Sequence, residues 1–135
     1  MSVHLQHKPG TQLAQTIHLR DHQFDTDVSA AEGGEDAGPS PHDLYDAALG
    51  ACKALTVMWF ARKKNIAVDD IHTEVVSDNS QERSGVYRLN TRLVISGSFS
   101  DAEFAQLTAV AEKCPVHKLM TRVTTEITTT VVRAT

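Results

Sequence analysis

Gly38-Pro39-Ser40-Pro41-His42-Asp43-Leu44 decides how the rest of the chain is read. A serine directly before a proline, with a carboxylate three residues after the serine, marks a helix start. The serine caps an orphan amide, and the proline fills the first helical position, where no N–H is needed. The carboxylate reaches back to close a capping box. The helix opened at Pro41 is predicted to run to about Lys64. Arg62, Lys63 and Lys64 complement the dipole there, and Asn65 is a left-handed cap. Leu44, Ala48, Ala51, Leu55 and Met58 form one apolar stripe along it, while Ala47, Ala54, Val57, Trp59 and Phe60 extend apolar character around most of the cylinder. A helix apolar nearly all round is a buried one. One chain of 135 residues has little with which to bury it on every side, so a second subunit is expected to cover part of it. The alanines and Gly50 would let another backbone come close.

Upstream, loose alternation of Leu13, Ile17 and Leu19 with polar residues predicts strands over Gln12–Leu19 and Gln23–Val28, joined around Arg20-Asp21-His22. Residues 29–40 read as a Gly-rich acidic connection. They form no phosphate cradle, because Glu32, Glu35 and Asp36 would repel the anion and no Gly-Lys-Ser/Thr follows. Downstream, strands are predicted at Ile71–Ser77 and Val86–Ile95, around a turn-like segment from Asp78 to Gly85. A second capping box, Ser100-Asp101-Ala102-Glu103, opens a helix through about Lys113, with Phe104, Leu107, Val110 and Ala111 at helical spacing. Cys114-Pro115 interrupts it and starts a short helix over Val116–Met120. Thr124–Val132, β-branched almost throughout, reads as a final strand. The expectation is one α+β domain over residues 1–135, without internal repeats.

Composition removes several function classes. With 41% hydrophobic residues but only 5% aromatic, the core is built from Ala, Val, Leu and Ile. A net charge of -4 lacks the footprint of a nucleic-acid or anionic-membrane binder. Lys53 cuts the most apolar stretch, Ala47 to Ala61, which is shorter than the ~20 residues a bilayer requires. Met1–Gly10 has no apolar h-region, so the chain is expected to be cytoplasmic. In a reducing compartment its two cysteines, Cys52 and Cys114, read as reactive, metal-binding or plainly buried thiols before they read as a structural disulfide.

Cys114 stands at a proline-started helix N-terminus, where unpaired amides and the positive dipole end favour thiolate. Cys52 lies within the long helix beside Lys53, and its bland reading is a small core residue on an Ala-rich surface. A competing class takes Cys52, Cys114, His117 and His42 as a tetrahedral zinc set, although their spacing matches no common zinc ribbon or finger. Outside that set, His117 reads as a helix-surface residue or a modulator of Cys114.

Two segments together resemble the osmotically induced protein C and organic hydroperoxide resistance (OsmC/Ohr) family. One is Gly38 to Leu44 followed by Ala47-Ala48-Leu49-Gly50-Ala51-Cys52; the other is Glu112-Lys113-Cys114-Pro115-Val116-His117. The resemblance runs from about Gly38 to the C-terminus. It implies an intertwined homodimer whose antiparallel sheets wrap two central helices, and a thiol peroxidase at the subunit interface. Cys52 would attack an organic hydroperoxide and Cys114 would resolve the resulting sulfenic acid as a disulfide. A dithiol, lipoyl-type or thioredoxin-like, would reset the pair, and no metal, haem or flavin is called for. The family's peroxidases carry a glutamate directly after the proline, in a network with an arginine; here that position is His42. Arg20 is the one arginine in the N-terminal strands and so the candidate for the arginine's role. A dimer lacking that network, serving stress response or small-ligand binding without peroxidase activity, is the alternative these residues leave open.

Overall fold

The computed structural model describes residues 1–134. Three short strands open the chain, β1 (His4–His7), β2 (Gln15–Leu19) and β3 (His22–Thr26), paired antiparallel in the order β1-β2-β3. The hairpin pairs Leu19 with His22, and Arg20 takes the left-handed position at φ 51°. The expected β2–β3 pair is therefore present, each strand shorter than the pattern implied. Lys8 and Ala14 close a bend ahead of β2, through a 2.8 Å backbone bond. Asp27 ends β3 by turning its carboxylate onto the amides of Val28 (2.8 Å), Glu35 (3.0 Å) and Ala37 (3.1 Å), which folds the acidic connection around one buried side chain. β1 was not anticipated. All four of its residues are exposed and only Leu5 is apolar, so it carries no alternation to read.

Helix α1 spans Pro41–Lys63. Its capping box is formed, with the Asp43 amide on Ser40 Oγ at 3.1 Å and the Ser40 amide on Asp43 Oδ2 at 2.9 Å. At the other end Asn65 has φ 55°, the Ile66 amide donates to Ala61 O (2.8 Å), and the Asn65 amide donates to Arg62 O (3.4 Å). That is a Schellman ending built on asparagine. The buried stripe is Leu49, Lys53, Val57 and Ala61, spaced four apart. The apolar stripe read from the sequence lies on another side of the helix: Leu44 is half-buried, and Ala48, Ala51, Leu55 and Met58 are exposed. Where nearly every position is apolar, periodicity cannot choose the inward face.

Strands β4 (Val68–Asp78) and β5 (Arg88–Gly97) form a two-stranded sheet. Helix α2 (Asp101–Ala111) begins at the complete Ser100/Glu103 capping box, and α3 (Pro115–Thr121) follows with Cys114 as its N-cap. Thr124–Val132 forms no strand among the described residues and is exposed, which corrects the expected final strand. β-branched residues favour a strand only where a sheet edge offers partners, and this segment pairs with none among the described residues.

The chain divides into two compact units, residues 1–50 with 74–92, and residues 51–73 with 93 onward. The second has its own core of Val57, Ala61, Ile66 and Leu107, lined by Phe60, Leu93, Ile95 and Val110. The first buries Ala14, Ile17 and Leu49. Among the described residues no helix is long and apolar enough to cross a membrane.

Candidate active site

The chemistry-bearing residues of the second unit converge where α2 breaks into α3. Proline at 115 removes one of α3's orphan amides, and the next two find sulfur. The Val116 amide donates to Cys52 Sγ at 3.5 Å, and the His117 amide donates to Cys114 Sγ at 3.3 Å. Both cysteines are free thiols; Cys52 is half-buried and Cys114 is fully buried. Burial pushes the Cys114 thiol above its usual range, and the neighbouring Cys52 sulfur pushes it further. The His117 amide and the Lys53 charge pull the other way. Cys114 is therefore held as a thiol beside Cys52, whose sulfur has a donor aimed at it and a partial opening to solvent.

Lys53, which in the sequence interrupts an apolar stretch beside Cys52, is 3% exposed. Its Nζ donates to Ala111 O at 2.9 Å and lies 3.0 Å from His117 Nδ1. An ammonium has no lone pair, so Nδ1 is the acceptor and the imidazole carries its proton on Nε2. The 4.0 Å approach of Glu112 to the same Nδ1 is then no hydrogen bond. Lys53 and His117 are thus members of the constellation. The sequence carries no signal for Lys53's place here, since the buried stripe Leu49-Lys53-Val57-Ala61 is set by what packs on α1.

Arg20 and His42 belong to the first unit. Arg20 stands in the β2–β3 turn. His42 Nε2 is 2.8 Å from Glu82 Oε1, and its ring meets Tyr87 edge-on at 5.9 Å. Tyr87 in turn donates to Asp46 at 2.7 Å; burial first, then that carboxylate, raises its pKa. The structure brings together Cys52 and Cys114, and gives His42 other partners. His117 Nδ1 is taken by Lys53, and no three His, Cys, Asp or Glu side chains among the described residues are grouped to hold a metal.

A thiol pair bridged by the amides of a Cys-Pro helix start joins the two segments on which the sequence resemblance rested. The model of OsmC-like proteins matches residues 33–130, well over half of the chain. The chain belongs to the OsmC-like family. Its mixed α+β architecture matches that of solved OsmC-like structures. A putative osmotic stress induced and detoxification response protein from Psychrobacter arcticus is 19% identical, with 88% of this chain and 87% of that one covered at a TM-score of 0.73. An OsmC like protein from Mycoplasma pneumoniae is 20% identical over 90% and 87% of the two chains, with a TM-score of 0.72. The organic hydroperoxide resistance protein OhrB of Bacillus subtilis is 26% identical over 90% and 92%, with a TM-score of 0.56. No curated protein sequence gives a significant match.

Proposed function

We propose that this OsmC-like protein is a thiol-dependent peroxidase that reduces small organic hydroperoxides and works as a homodimer. The observation that carries the reading is the shared environment of the two sulfurs: a half-buried Cys52 accepting from the Val116 amide, beside a fully buried Cys114 kept protonated. Cys52 thiolate attacks the distal peroxide oxygen, the O–O bond breaks, and the alcohol leaves after taking up a proton. Cys52 is left as sulfenic acid. Cys114 then attacks the Cys52 sulfur; an S–S bond forms, the S–O bond breaks, and water departs with the Cys114 proton. A dithiol of the lipoyl or thioredoxin type reduces the disulfide and is itself oxidised. Likeness to a hydroperoxide resistance protein of Bacillus subtilis supports the substrate class. Arg20, as the arginine of the family's network, belongs to this reading as well.

One observation favours the alternative, an OsmC-like dimer without peroxidase activity. His42 stands where the family's peroxidases carry glutamate, and it is engaged by Glu82 and Tyr87. The test is stoichiometric oxidation. Cumene hydroperoxide is expected to consume both thiols, faster than hydrogen peroxide does. Full consumption of peroxide by Cys52→Ser, or indifference of the wild-type thiols to either peroxide, would overturn the peroxidase.

A further inference from the structure

A lysine buried to 3% exposure within the protein needs a reason, because an ammonium removed from water is costly unless it is paired. Lys53 lies on α1, one residue after Cys52, and among the described residues no carboxylate pairs with it. Its two partners are the Ala111 carbonyl at 2.9 Å and His117 Nδ1 at 3.0 Å. These stand three residues before and three residues after Cys114. The ammonium is therefore pinned from both sides of the helix break that carries the second sulfur. His117 serves both groups, since its amide donates to Cys114 Sγ while its ring accepts from Lys53. A neutral apolar residue would pack here at less cost, so the charge has a use beyond packing.

We propose that Lys53, held by His117, is a positioning residue that activates Cys114 as the attacking thiol in the disulfide-forming step. The fixed ammonium stabilises the Cys114 anion as its proton leaves. His117 keeps the cation in place by offering a lone pair. The charged and titratable groups facing this sulfur are Cys52 and Lys53 from α1 and His117 from α3, with Glu112 at the end of α2 standing 4.0 Å from the imidazole. The direction agrees with the Lys53 charge lowering the Cys114 pKa against the stronger effect of burial. The role rests on the thiol-pair chemistry proposed above, but it can be read without any peroxide.

The experiment loads Cys52 of the full-length protein with 5-thio-2-nitrobenzoate from Ellman's reagent, the half-buried thiol being the accessible one. Release of the second aryl thiolate is then followed by absorbance. Cys114 attacks the Cys52 sulfur, the protein S–S bond forms, the bond to the aryl sulfur breaks, and the aryl thiolate departs with the electron pair while the Cys114 proton passes to solvent. In Lys53→Met the release is expected to be about tenfold slower at neutral pH. Its pH midpoint should move up by about one unit, the equivalent of a tenfold loss of thiolate. Lys53→Arg should restore most of the rate, and His117→Phe should show the shift in weaker form. Equal rates and midpoints in wild type and a folded Lys53→Met would overturn the role. So would failure of Lys53→Arg to recover, which would mark Lys53 as a packing residue. A loss of peroxide consumption with the aryl release intact in wild type would sink the peroxidase and leave this role standing.

Discussion

The Val116 amide donates to the Cys52 sulfur across 3.5 Å, joining residues 64 apart in the chain. The contact exists because α2 stops at Ala111 and α3 restarts at Pro115. A continuous helix would have spent that amide on a carbonyl four residues back. The break frees it, and the amide beside it is spent on Cys114. A single Cys-Pro step thus supplies one of the two sulfurs and donors for both.

This arrangement makes the two cysteines unequal. Cys52→Ser is expected to abolish peroxide consumption. Cys114→Ser should complete one oxidation and stop at a sulfenic acid that dimedone traps, read as one adduct by mass spectrometry. Loss of the first oxidation in Cys114→Ser, with Cys52→Ser active, would reverse the two roles.

The Cys114 thiol also ties stability to alkaline pH. Burial, with Cys52 next, raises its pKa above the usual 9.0 in the folded, reduced protein. The folded state then holds the proton at pH values where the unfolded chain has lost it. Its contribution is full below the unfolded value and is lost as pH rises through the folded one. Denaturant melts of the reduced protein should weaken above about pH 8.5, near the ordinary thiol range. Cys114→Ala should flatten that slope, whatever it does to the absolute stability.

On the acid side the sign is opposite. The amides of Glu35 and Val28 hold the Asp27 carboxyl below its usual 3.8, with Ala37 adding to them and burial opposing. Stability from this group is present above the unfolded pKa and is lost as pH falls through the lower, folded one. Asp27→Asn should lose stability at neutral pH and show a flatter acid limb in thermal melts. An unchanged acid limb would mean that another carboxylate governs it.

Much of this was legible in the residues, because caps are local chemistry. Ser40-Pro41-His42-Asp43, Asn65 and Ser100-Asp101-Ala102-Glu103 each name their own hydrogen bonds, and Cys114-Pro115 announces a helix break. What was not legible depends on distant partners. β1 exists because β2 offers an edge, pairing Leu5 with Ile17. The inward face of α1 was hidden by its uniform apolarity. Lys53 follows Cys52 in sequence, but one helical step turns a side chain by about 100°. Its burial against α2 and α3 could be known only once those helices were placed.

The exposed face of α1 makes the last prediction. Leu55, Trp59 and Met58 are 69%, 61% and 44% exposed, on the helix whose opposite side carries buried Val57 and Ala61. Ile127, Val131 and Val132, in the segment that forms no strand among the described residues, are each more than 80% exposed. A chain alone in water gains nothing from presenting these side chains. Two copies that cover them would bury apolar surface at about 25 cal/mol per Å², and obligate homodimer interfaces bury more than about 2,000 Å². Light scattering at micromolar concentration should therefore give twice the monomer mass. Leu55→Asp should shift the mass toward the monomer, because it places a charge on the covered face and leaves Val57 and Ala61 in place. Removing residues 124–135 should have the same effect if the β-branched segment completes a sheet of the second copy. A folded wild-type monomer at that concentration would mean that the apolar face serves another partner.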